Sequence, residues 1–137
     1  MDNLKEIAKV DKEKMRDILI SFPSQCRQAV KIGEKIKLPP EYFSGIEKVI
    51  VCGMGGSGIG GEILKTLLLS SMKIPLFVNR DYNLPKFVNR KTLIFVISYS
   101  GNTEETLSVY EEAKKMGCYL IAITSGGKLK DLCGQDK

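Results

Sequence analysis

The sequence contains no histidine and no tryptophan. Without an imidazole the chain lacks the side chain whose unperturbed pKa lies nearest neutrality, and with it the commonest general acid–base and metal ligand. Its four cysteines, Cys26, Cys52, Cys118 and Cys133, form no C-x-x-C pair. Neither a zinc site nor a disulfide framework is indicated, and reduced, mostly buried thiols are expected. No stretch of about 18 apolar residues is present to span a membrane, and the opening MDNLKEIAKVDKEKM is charged where a secretory leader would be apolar. The net charge of +5 has no basic block behind it: Lys5, Lys9, Lys14, Lys31, Lys65, Lys91, Lys115 and Lys130 are scattered among acidic neighbours. Nucleic-acid binders concentrate such charge on one face. The expectation is a cytoplasmic protein with no nucleic-acid or membrane partner, whose basic balance remains compatible with small acidic ligands.

What is present is a globular composition, 43% hydrophobic and 27% charged over 137 residues, enough to bury a core. Residues 1–40 read as a helical lead-in. Ile7, Val10, Met15, Ile18 and Leu19 predict a helix over Lys5–Ile20, stopped by Phe22-Pro23. A second helix is predicted over Ser24–Ile36, closed by Leu38-Pro39-Pro40.

Residues 41–137 have a different texture. Val49–Cys52, Pro75–Val78, Leu93–Ile97 and Tyr119–Ile123 are uninterrupted apolar runs, as expected of parallel strands covered on both faces. Helical patterns through Ile59–Leu68 and Leu107–Met116 separate them, while Tyr82–Lys91 predicts an irregular crossover. The fold class is therefore α/β, a doubly wound parallel sheet in a flavodoxin-like three-layer sandwich of strand order 2-1-3-4. Asp131–Lys137 reads as a helix cut short, and a fifth strand is expected over the exposed sheet edge.

Two loops carry chemistry. Gly53-Met54-Gly55-Gly56-Ser57-Gly58-Ile59-Gly60-Gly61 lies where the first strand turns into its helix. Glycines allow close backbone approach, a helix start supplies N–H groups and positive dipole, and Ser57 adds a donor, so the loop suits an anion. The spacing also satisfies G-x-G-x-x-G with Asp81 downstream, which keeps a dinucleotide site open. The second loop, Ser98-Tyr99-Ser100-Gly101-Asn102-Thr103-Glu104-Glu105-Thr106, follows the third strand. Asn102 is read as the N-cap of the next helix with Glu105 completing a capping box, leaving Ser98, Ser100 and Thr103 to face outward. Strands one and three are neighbours at the topological switch point, so both loops border one crevice fitted to a phosphomonoester, with no metal and no cofactor required.

The Ser98-Tyr99-Ser100-Gly101-Asn102-Thr103 loop resembles the signature of the SIS (sugar isomerase) family. Gly53–Gly58, Arg80-Asp81-Tyr82 with Leu84-Pro85, and Thr124-Ser125-Gly126-Gly127-Lys128-Leu129 extend the likeness towards its phosphoglucose/phosphomannose isomerase branch. The resemblance implies that Gly55, Gly56, Ser57, Ser98, Ser100 and Thr103 bind the phosphate and sugar of glucose, mannose or fructose 6-phosphate. It also implies an aldose–ketose isomerase whose arginine, glutamate base and ring-opening histidine come from segments beyond the match. No residue of this chain is assigned a catalytic role. The expected partner is a second copy or a C-terminal SIS half. Two alternatives stay open: a SIS module that senses sugar phosphates without turnover, and a dinucleotide-binding domain.

Overall fold

The four apolar runs become the strands β1 (Lys48–Cys52), β2 (Leu76–Asn79), β3 (Thr92–Ser98) and β4 (Tyr119–Thr124). All pair in parallel, in the order β2-β1-β3-β4. In the register, Cys52 stands opposite both Asn79 and Val96, and Ser98 opposite Thr124. The carboxyl ends of β1, β3 and β4 thus release their loops side by side. The computed structural model describes residues 3–40 and 44–135 and divides into two units, Met1–Pro39 and Pro40–Lys137.

One face of the sheet, bearing Ile50, Cys52, Ile94 and Val96, is buried under Val109, Tyr110 and Ala113 of α4 (Glu104–Met116) and Leu129 of α5 (Gly127–Gln135). Leu84 and Val88 close the same cluster from the β2–β3 connection, which is irregular as expected. Ile50, Ile94 and Leu129 are wholly buried, each contributing about 1.5–3 kcal/mol by removal from water. The opposite face is covered by α3 (Gly55–Leu68). This helix lies close on the sheet because Gly61 has no side chain: a Cβ there would stand 2.8 Å from Val51 Cγ1 and 3.2 Å from Val78 Cγ2. Several of the loop's glycines therefore serve packing. β4 has no second neighbour among the described residues, and Ile123 on it remains 51% exposed. Asp136 and Lys137, at the end of the segment read as a shortened helix, lie outside the described residues.

The N-terminal unit differs from expectation in where its helix breaks. α1 is short (Leu4–Val10) and α2 runs unbroken from Met15 to Gly33 with Pro23 inside it. The break falls at Asp11, whose two carboxylate oxygens accept from the Met15 and Arg16 amides at 2.7 and 2.9 Å, a side-chain cap that starts a new helix. Near the proline, the Ser21 hydroxyl and the Gln25 amide donate to the Ile18 carbonyl at 2.9 and 3.5 Å, while the carbonyl that Pro23 deprives of its helical donor is that of Leu19. Among the described residues no helix is long and apolar enough to cross a membrane.

Candidate phosphate cradle at the carboxyl edge of the sheet

The glycine loop leaves β1 with its first residue still tied to the sheet, the Gly53 amide donating to the Asn79 carbonyl at 3.2 Å. Met54 is extended, Gly55 adopts φ 49°, and α3 begins without a side-chain cap or an acidic residue in its first turn. The leading amides of a helix have no intrahelical partner, so those of Gly55 and Gly56 are left for other acceptors, with the positive end of the dipole behind them. Gly58 is constrained on both sides. A Cβ on it would lie 2.5 Å from the Gly53 carbonyl oxygen and 2.9 Å from Nε of Arg80. Seating Arg80 explains the last glycine of G-x-G-x-x-G without a dinucleotide.

The serine loop is more internally committed than its sequence suggests. Ser98 is only 2% exposed; its hydroxyl lies 3.0 Å from the Thr103 hydroxyl and accepts from the Gly101 amide at 3.1 Å. Ser100 Oγ accepts from the Asn102 amide at 3.3 Å. The expected capping box is corrected: the N-cap of α4 is Thr103, with no side-chain cap bond, and Asn102 Oδ1 instead accepts from the Lys128 amide at 3.1 Å. Asn102 thus caps the neighbouring helix α5, not its own. Glu104 and Glu105 occupy the first turn of α4, where they complement its dipole and make it a poorer anion receiver than α3.

A third loop, Thr124–Gly127, is fastened onto the second. The Ser125 amide donates to the Tyr99 carbonyl at 3.3 Å and the Leu129 amide to the Gly101 carbonyl at 3.0 Å, while the Ser125 hydroxyl also donates to Tyr99. The contact is so close that a Cβ on Gly101, itself at φ 66°, would overlap the Gly126 carbonyl oxygen. Between the first and third loops lies a cleft of about 510 Å³ lined by Met54, Gly56, Ser57, Ile97, Tyr99, Ile123, Thr124 and Ser125.

Of the residues singled out in the sequence, Gly56 and Ser57 line this cleft. Gly55 opens the adjoining helix. Ser100 and Thr103 stand exposed and half-buried on the serine loop, and Ser98 braces that loop from within. Tyr99, Thr124 and Ser125 were not singled out as binding residues; their signal was the position of Thr124-Ser125 at the end of the strand beside β3. Arg80 and Asp81 are exposed, the former paired at 4.0 Å with Glu62. Tyr82 reaches the start of α4, its hydroxyl donating to Glu104 at 3.5 Å, and the negative charge of Glu105 first, then burial and Glu104, holds its phenol above the usual range. The thiol of Cys52, in the core at the end of β1, is pushed up to about 12 by burial. The thiols are all free, but Cys26 is exposed and Cys118 and Cys133 are half-buried, so the mostly buried set expected from sequence reduces to Cys52. Among the described residues, no cluster of three His, Cys, Asp or Glu side chains is arranged to hold a metal ion.

Comparison with known proteins agrees with this fold. The SIS domain family model matches residues 42–130. The chain is 48% identical over 122 residues to the bifunctional phosphoglucose/phosphomannose isomerase of Caldicellulosiruptor bescii, covering 89% of this chain and 36% of that protein. It is 47% identical over 87 residues to the D-glucosamine-6-phosphate 4-epimerase of Sulfolobus acidocaldarius, covering 63% and 27%. The phosphoheptose isomerase of Neisseria gonorrhoeae superposes with a TM-score of 0.60 at 17% identity, over 87% of this chain and 81% of that one. The chain spans about a quarter to a third of the length of these curated relatives. Parallel strands, an uncapped glycine-rich helix start beside a serine loop, and a family match that begins and ends around those elements make this chain a member of the SIS domain family.

Proposed function

We propose that this chain is the sugar-phosphate-binding SIS domain of a glucose-6-phosphate/mannose-6-phosphate aldose–ketose isomerase, and that the 6-phosphate is held by Gly55, Gly56, Ser57, Ser100 and Thr103, with Ser98 shaping the serine loop. The observation that carries this reading is the free amino end of α3, without cap or carboxylate, beside hydroxyl-bearing loops on neighbouring strands. Uncharged donors and a helix dipole suit a phosphomonoester dianion without a metal. The relatives support the same division of labour, since an isomerase and an epimerase share this region and their names share a phosphorylated hexose.

Aldose–ketose exchange needs ring opening by an acid and a base that carries a proton between C2 and C1 through an enediolate. This chain offers no imidazole for the acid. Glu104 and Glu105, its carboxylates nearest the serine loop, sit at a helix start whose dipole they complement. The catalytic groups are thus assigned to a further SIS half, acting in the cytoplasm. Titration calorimetry with glucose 6-phosphate, run beside a coupled isomerase assay, tests this. Binding without turnover is expected. Turnover by the chain alone would refute the division of labour, and binding of NADH in place of the sugar phosphate would restore the dinucleotide alternative.

A further inference from the structure

We infer that Arg80 is a positioning residue of the cradle, supplying a fixed positive charge behind the glycine loop that Glu62 partly offsets; the inference rests on the phosphate-binding reading above. β2 delivers Arg80 directly after Asn79, whose carbonyl holds the Gly53 amide, so the arginine is anchored to the strand end that fixes the loop's first residue. Its Nε and Cζ lie against Gly58, within 2.9 and 3.4 Å of where a Cβ would stand. The guanidinium head lies 4.0 Å from Glu62, one turn further along the same helix face. The planar, permanently charged group is therefore laid along α3 from Gly58, at the end of the first turn, towards Glu62. Gly58 admits it there, and any larger residue would displace it.

Glu62 is a partial counter-ion only, because the pair is long and half-exposed, and such pairs interact weakly. The remaining positive charge adds to the dipole at the loop. Screened little at low salt, where the Debye length is about 10 Å at 0.1 M, it should change anion affinity by a few-fold, and that effect should be lost in high salt. A role confined to packing would show neither property. Arg80 touches no reacting atom; it acts through the loop it backs.

The test uses the full chain as wild type, R80K, R80Q and E62Q, titrated with glucose 6-phosphate at low and high salt. Inorganic phosphate is followed in parallel by the amide shifts of Gly55–Ser57, and thermal unfolding is recorded for each variant. R80Q should weaken both ligands roughly threefold to fivefold at low salt, R80K should retain most of the affinity, and E62Q should tighten binding about twofold, with all differences shrinking at high salt. Equal losses in R80K and R80Q, or salt-independent losses, would overturn the charge role and leave a packing contact. If wild type binds phosphate but not the sugar ester, the functional proposal fails while the phosphate arm still decides Arg80. If wild type binds neither, both readings fall.

Discussion

Replacing Gly101 by alanine tests the interlocked loops that frame the cleft. Gly101 has φ 66°, a conformation that costs an L-residue about 1–2 kcal/mol. The new Cβ would also overlap the Gly126 carbonyl oxygen and stand 2.9 Å from Thr124 Oγ1. The nearest obstruction is the Gly126 backbone, which cannot yield as a flexible side chain would, so the third loop must lift away. Lifting it breaks the bonds from Ser125 to Tyr99, from Leu129 to Gly101 and from Lys128 to Asn102, each worth about 1 kcal/mol. The sum is about 4–5 kcal/mol, a large part of a typical domain's stability. Gly60 supplies the control, since a Cβ there meets nothing within 4 Å and alanine favours a helix interior by up to about 1 kcal/mol. Urea unfolding followed by circular dichroism reads both variants. A loss under about 1 kcal/mol in Gly101→Ala, relative to Gly60→Ala, would show that the loops are not locked together.

Three further outcomes follow from the same geometry. Ser98→Ala should destabilise the fold by about 1–3 kcal/mol, because it removes a buried hydroxyl bonded to Thr103 and Gly101; unfolding midpoints indistinguishable from wild type would place that serine's role elsewhere. The Ser100→Ala, Thr103→Ala double variant should keep most of its stability while losing about 1–3 kcal/mol of sugar-phosphate binding, and unchanged affinity would remove that loop from the site. The Cys52 thiol, raised from 9.0 to about 12 by burial, stays protonated in the folded chain while the unfolded chain ionises. Its contribution is intact below pH 9 and is lost as pH rises towards 12, at about 1.4 kcal/mol per unit. Cys52→Ala should flatten that alkaline slope, and an unchanged slope would mean that the thiol is not shielded.

The order of the sheet was legible because buried parallel strands leave unalternating apolar runs, and Val49–Cys52 and Leu93–Ile97 each lie within a residue or two of their strand limits. Both site loops were legible as glycine and hydroxyl clusters at strand ends. The N-terminal helix break was misplaced because Pro23 is a strong local signal, whereas Asp11 capping two amides of the next helix depends on backbone geometry. Asn102 was misassigned for a related reason: its sequence neighbours fit a local cap, but its partner, Lys128, lies in the first turn of α5, after the neighbouring strand. Arg80 gave no sign of its place, since only folding brings the end of β2 against Gly58.

The most direct measurement is titration calorimetry of the chain with glucose 6-phosphate, with NADH as comparison ligand. The account predicts saturable binding of the sugar phosphate that Ser100→Ala with Thr103→Ala weakens, and no binding of NADH. Binding of NADH with indifference to glucose 6-phosphate would contradict it.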